Sequence, residues 1–102
     1  MKINWTDNAL QDLKEIKAYI ARDSDFYATR FIEKLIAGVD PLSTFPKMGR
    51  EVPEAQSELI RELIYKPYRI IYQIKKNYID IITVVNSHRD LNNPSLQKWE
   101  IG

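Results

Sequence analysis

Hydrophobic positions in this chain change period near its middle. In the first half they recur every three to four residues: Ala9, Leu13, Ile16 and Ile20, then Ala28, Phe31, Leu35, Val39 and Leu42, with Ile32 and Ile36 widening the second stripe. That spacing predicts two amphipathic helices. Thr6 or Asp7 supplies an N-cap for the first, since a short side-chain oxygen can accept an orphan N–H of the opening turn. Ser24 or Asp25 does the same for the second. Only Arg22-Asp23-Ser24-Asp25 separates the stripes, so the pair reads as a helical hairpin. Pro41 limits continuation of the second helix.

In the second half the period drops to two. Tyr68, Ile70, Tyr72 and Ile74 alternate with Arg69, Ile71, Gln73 and Lys75, and Leu59–Tyr65 is strand-like, with Lys66-Pro67 between the two runs. From Ile79 to Val85 every residue but Asp80 is β-branched, as in a central strand covered on both faces. Lys76-Asn77-Tyr78 supplies a tight turn, so the three strands predict an antiparallel meander. At the other end, Lys2-Ile3-Asn4-Trp5 alternates as a short half-buried strand does. The stretch from Thr44 to Ser57, punctuated by Pro46, Gly49 and Pro53, reads as an irregular loop. The order β-α-α-β-β-β, with helices early and strands late, indicates an α+β fold. The helical hairpin is expected on one face of a small, mainly antiparallel sheet, with the other face partly open. The tail after Asn92-Asn93-Pro94 carries Leu96 and Trp99 at helical spacing.

At 102 residues the chain is expected to be a single domain, 1–102. It has no cysteine, which removes disulfides, thiolate nucleophiles and thiolate metal sites. No run approaches the roughly 20 apolar residues of a membrane span, and acids appear early, so a soluble cytoplasmic protein is expected. The formal net charge of +1 is nearly neutral. Residues 1–46 hold 6 Lys/Arg against 7 Asp/Glu, and residues 47–102 hold 9 against 7. Lys47, Arg50, Arg61, Lys66, Arg69 and Arg89 all fall in the second part.

The glycines, Gly38, Gly49 and Gly102, form no phosphate loop. One histidine without cysteine argues against a zinc site, and no metal and no cofactor are expected. Ser87, His88 and Asp90 do not form a triad naturally, because strand neighbours point to opposite faces. Glu51, Glu54, Glu58 and Glu62 recur at three- and four-residue spacing and read as a solvated acidic edge. There remain Arg61, Arg69, His88 and Arg89 at the ends of adjacent strands. Guanidinium groups grip phosphate bidentately and a histidine exchanges protons near neutral pH, so the set has the parts for metal-free RNA cleavage. The same residues fit a purely structural role: Arg69 can pair across strands with Glu62 or Asp90, and His88 can cap a strand end. Residue types alone favour that second role. They also favour sheet packing over base stacking for Tyr65, Tyr68, Tyr72 and Tyr78.

Taken in order, "FPKMGREVPE", "IRELIYKPYRIIYQI" and "IDIITVVNSHRDL" resemble the RelE/ParE superfamily of toxins from type II, plasmid-stabilisation toxin–antitoxin pairs. The pieces that carry the resemblance are Gly49-Arg50, Arg61-Glu62-Leu63, Tyr68-Arg69-Ile70-Ile71-Tyr72 and His88-Arg89-Asp90-Leu91. It spans the chain from the first strand to Leu91. It implies a growth inhibitor neutralised by a cognate antitoxin, and a target that differs by branch. RelE-like members cut mRNA on the ribosome without a metal; ParE-like members inhibit DNA gyrase. Transferred residue by residue, the nuclease branch would place Arg69, His88 and Arg89 in catalysis, with Lys47, Arg50 and Arg61 on nucleic acid. The lysines that branch carries on the preceding strand are absent: Ile60, Arg61 and Glu62 stand there. After Leu91 there is no tyrosine or histidine. The closing ParE-like His-x-x-Arg-Asp pattern is also altered, with Asn86 where its histidine would be. The missing nuclease residues favour the ParE-like reading. An inactive member kept as an antitoxin-binding module is the third expectation.

Overall fold

The computed structural model describes residues 1–87, and the elements below lie within them. Strand β1 (Lys2–Trp5) leads into helix α1 (Asp7–Ala21) and helix α2 (Asp25–Val39). A 3₁₀ turn at Asp40–Ser43 follows, then the two-residue strand β2 (Arg50–Glu51), a second 3₁₀ turn at Pro53–Ala55, and strands β3 (Ile60–Tyr65), β4 (Tyr68–Ile74) and β5 (Tyr78–Asn86). Of the alternative caps, Thr6 and Ser24 do the work. Thr6 Oγ1 accepts the Ala9 N–H at 3.1 Å and Ser24 Oγ accepts that of Tyr27 at 3.1 Å. Helix α2 stops at Val39, and Pro41 falls in the 3₁₀ turn beyond it.

The sheet has five strands in the order β1-β5-β4-β3-β2. The expected meander β3-β4-β5 is antiparallel, while β1 pairs parallel with β5 from Lys2↔Tyr78 to Trp5↔Ile81. The fold is therefore α+β, as the change of period indicated. The helical hairpin covers one face. Ala9, Leu13, Ile16, Leu35, Val39 and Leu42 pack there against Tyr68, Ile70, Tyr72, Ile79, Ile81 and Val84. Phe31 meets Tyr65 and Tyr68 edge to face, with ring centroids 5.2 and 5.8 Å apart, so those tyrosines serve packing.

The 44–57 stretch is more ordered than an irregular loop. Its strand β2 pairs with β3 at Arg50↔Glu62 and Glu51↔Arg61. Val52 and Ala55 then fold over the second sheet face onto Ile60, Ile71 and Val85. Two residues of strand are too short to leave a period in the sequence, which is why the alternation rule passes over them.

The connection at Gly49 explains how this stretch is held. A Cβ at Gly49 would lie 2.6 Å from both the Glu62 carbonyl oxygen and the Tyr72 hydroxyl oxygen, so only glycine allows the approach. The buried Tyr72 hydroxyl donates to the Pro46 carbonyl at 2.7 Å and accepts the Gly49 N–H at 3.0 Å. Burial raises the Tyr72 pKa above its usual value, against the lowering influence of the Gly49 N–H and the nearby Arg61 charge.

Candidate functional site

Positions 62 and 69 face the same side of the β3–β4 hairpin. Glu62 lies opposite Ile71 and Arg69 opposite Ile64, which makes the two charged residues diagonal neighbours. Arg69 Nε donates to Glu62 Oε2 at 2.5 Å, and its Nη2 lies 2.5 Å from the same oxygen. The other carboxylate oxygen, Oε1, accepts from Arg50 Nε at 2.7 Å. Arg69 Nη2 also reaches Glu54 Oε1 at 3.5 Å. The cross-strand Arg69–Glu62 pairing anticipated from sequence is thus present. Its alternative partner, Asp90, lies outside the described residues.

Exposure divides this cluster. The Glu62 side chain is fully covered and that of Arg69 is 9% exposed, whereas that of Arg50 is 67% exposed. The acidic-edge reading is corrected here. Glu62 is the buried centre of an ion cluster, and Glu54 closes one side of it. Helical spacing among the four glutamates misled because Glu62 sits on a strand, where period two governs which face a side chain meets. Two guanidinium groups face two carboxylates, so the cluster carries no net charge. The cost of burying Glu62 is offset by hydrogen bonds to both of its oxygens.

Beside the cluster is an open depression of about 670 Å³, lined by Arg50, Pro53, Glu54, Ile64, Lys66, Pro67, Arg69 and Ser87. Of the six basic residues noted in the second part of the sequence, Arg50, Lys66 and Arg69 come together here. Arg61 does not join them. Its Nε donates to the Glu58 carbonyl at 2.8 Å and its Nη1 to that of Gly49 at 2.9 Å. Lys47 lies elsewhere, lining an apolar depression with Phe45 and Met48. His88 and Arg89 lie outside the described residues. Among the described residues, no group of three or more His, Asp or Glu side chains is placed to hold a metal ion.

A second concave surface runs between α1 and β5, about 510 Å³ in volume, with Asn8, Asp12, Tyr19, Tyr68 and Asn86 among its lining residues. Beyond Trp5, β1 no longer covers the edge of β5, and side chains from α1 take over. Thr6 Oγ1 donates to the Ile81 carbonyl at 2.8 Å and Asn8 Nδ2 to that of Ile82 at 3.1 Å. Asp12 Oδ2 accepts from the Thr83 hydroxyl at 2.5 Å and from the Val84 N–H at 3.0 Å. Tyr68, at the wall of this groove, has its pKa raised, first by burial and then by the neighbouring Tyr19.

Residues 3–91 match the family model of the ParE toxin of the type II toxin–antitoxin system parDE. The chain belongs to the ParE toxin family. The Y4kP protein of Sinorhizobium fredii, named as a candidate toxin, is 36% identical over 90 residues, covering 86% of this chain and 90% of that protein. Toxin RelE2 of Caulobacter vibrioides is 30% identical over 88 residues, covering 86% and 97%. A solved chain of the chromosomal ParDE system from P. aeruginosa superposes with a TM-score of 0.71 at 22% identity, covering 84% of this chain and 95% of that one. At that identity the likeness carries the fold. This ParE-family chain is accordingly the toxin component of a type II toxin–antitoxin pair, with a cognate antitoxin as its partner.

The family's motif pieces now have physical roles. Gly49 gives the close approach of β2 to β3. Arg50, Glu62 and Arg69 make the ion cluster, and Tyr72 pins the 46–49 segment. Sequence reasoning had no role for Tyr72 beyond packing, nor for Asp12 at the β5 edge. Register between elements, which single-sequence patterns do not fix, is what reveals both.

Proposed function

We propose that this chain is a cytoplasmic growth inhibitor, a single toxin domain over residues 1–102, that acts on DNA gyrase and is neutralised by its antitoxin. The observation that carries the choice of target is the condition of Arg69. A nuclease arginine must be free to meet developing phosphorane charge. Arg69 is instead 9% exposed and ion-paired with Glu62 and Glu54. Arg61, the remaining basic residue of β3, is spent on backbone carbonyls. The sequence also lacks the strand lysines and the late tyrosine or histidine of the nuclease branch. Membership of the ParE family supports the same target. No helix among the described residues is long and apolar enough to cross a membrane, which is compatible with action in the cytoplasm.

One observation favours a second reading, cleavage of ribosome-bound mRNA. Arg50 presents a 67% exposed side chain to the depression shared by Lys66, Arg69 and Ser87, and His88-Arg89 follows Ser87 directly. In that case Arg69, His88 and Arg89 would act on the phosphate, and Lys47, Arg50 and Arg61 would hold the strand. Primer extension on message from programmed ribosomes separates the two. With purified protein at saturation the message is expected to stay intact. Codon-phased cuts that disappear on His88→Ala would establish the nuclease instead.

A further inference from the structure

Arg50 meets the buried ion cluster with only part of its guanidinium. Its Nε donates to Glu62 Oε1 at 2.7 Å, and its two Nη groups make no hydrogen bond among the described residues. Those two groups form an edge that matches a carboxylate bidentately. The Arg50 side chain is largely exposed and lines the depression of about 670 Å³ beside the cluster. It is nevertheless held in place. Glu62 anchors Nε, and Arg50 is paired with Glu62 across β2 and β3. A donor pair fixed before its partner arrives lowers the ordering cost of binding.

The lining itself carries more positive than negative charge. Arg50, Lys66 and Arg69 line the depression against Glu54 alone, while the Glu62 side chain is fully covered. With the two arginines set against Glu54 and Glu62, Lys66 is left over as one surplus positive charge. It is exposed and has no ion pair among the described residues. Glu51, next to Arg50 on β2, belongs to the opposite face of the sheet, because strand neighbours alternate. Ile64, exposed on β3, lines the same depression with Pro53 and Pro67, so the cations share it with aliphatic surface.

We propose that this depression takes an aspartate or glutamate side chain from an acidic segment of a partner protein. The carboxylate meets the Nη edge of Arg50, Lys66 supplies the charge that selects it, and an aliphatic neighbour in the segment packs on Ile64. One surplus charge suits one carboxylate, whereas a nucleic-acid strand is held by several cations along its backbone. Glu54 would repel such a strand, and among the described residues no aromatic side chain lines the depression for a base to stack on. A free small acid would stay mostly in water in so open a depression, which selects a segment of protein with apolar side chains beside the acid. The inference does not rest on gyrase being the target, since it concerns the group this surface takes, and supercoiling plays no part in its test.

A random twelve-residue peptide library displayed on phage, selected in parallel on the full wild-type chain and on Arg50→Lys/Lys66→Ser, tests it. Arg50→Lys leaves a positive charge for Glu62 but removes the second donor edge, and Lys66 is exposed, so equal thermal midpoints by circular dichroism are expected. Should Arg50→Lys lower the midpoint, Lys66→Ser and Ile64→Ser, both at exposed positions, carry the same comparison. Peptides retained by wild type and lost on the variant are expected to carry Asp or Glu beside an aliphatic residue. One such peptide, synthesised, should shift the Nε–H resonance of Arg50 and the amide resonances of Ile64, Lys66 and Ser87. Replacing its acidic residue by the matching amide should weaken binding about tenfold, and the affinity should decline with salt. The proposal is overturned by an empty selection, by selected peptides without acidic enrichment, or by equal binding to the variant. It is equally overturned if a twelve-residue oligouridine binds through Arg50 and Lys66 where no peptide does. A tenfold gain in peptide affinity on Asp90→Asn would make the chain's own carboxylate the occupant and overturn the assignment to a partner.

Discussion

Glu62 is the side chain on which the charged cluster turns. With both oxygens engaged and no exposure, it neutralises Arg69 from below and orders Arg50 from the side. Removing it leaves Arg69 buried with only the 3.5 Å contact to Glu54. Glu62→Ala is therefore expected to cost about 3–5 kcal/mol of stability, read by urea denaturation. A loss below about 1 kcal/mol would mean that the pair is solvated in solution. Tyr72 and Gly49 act together in the same way. Tyr72→Phe strands the buried Gly49 N–H and is expected to cost about 1–3 kcal/mol. The pH dependence follows from the raised tyrosine pKa values. Tyr68 and Tyr72 hold their protons more tightly folded than unfolded. Their contribution is complete below the ordinary tyrosine pKa of about 10 and is lost as pH rises through the folded values. Stability should thus fall above about pH 10, and less steeply in Tyr72→Phe than in wild type. Parallel alkaline limbs in the two proteins would assign the loss to other groups.

Among the elements, the junction of α1 with β5 shows how a strand edge is finished without another strand. Asp12 projects from the helix and takes both the Thr83 hydroxyl and the Val84 N–H. Asp12→Ala is expected to cost about 1–3 kcal/mol and to speed exchange of the Val84 amide selectively. Unchanged exchange at Val84 would show that the bond is not maintained in solution. Much of this level was legible in the sequence. Helix stripes and caps are local signals, and Thr6 and Ser24 lie where the stripes begin. Strand β2 was not legible because two residues have no period, and its existence rests on Gly49 fitting against β3. The acidic spacing misled for the reason that makes it informative now: Glu62 belongs to a strand facing two arginines. The ion pair itself could be foreseen, since a hairpin turning at Lys66-Pro67 brings positions 62 and 69 diagonally together.

For the whole molecule, membership of the ParE family fixes the class of function, and the structure adds what the arginines are doing. The order of Arg61-Glu62 and Tyr68-Arg69 on two paired strands is visible in the sequence. That Glu54 also closes on Arg69, and that Arg61 turns to the backbone, is not, because both depend on where the 46–54 segment lies. The antitoxin partner follows from the family, while the gyrase target is an inference from the state of those side chains. A chain built this way is expected to arrest growth without a metal and without message cleavage, and Arg69→Ala should reduce stability before it alters any catalytic rate. The measurement that bears most directly on this is DNA supercoiling by purified gyrase, titrated with the toxin and then with its antitoxin. Inhibition or trapped cleaved DNA is expected at saturating toxin, reversed by stoichiometric antitoxin. Full supercoiling activity at saturating toxin, from a protein that arrests growth in cells, would contradict it.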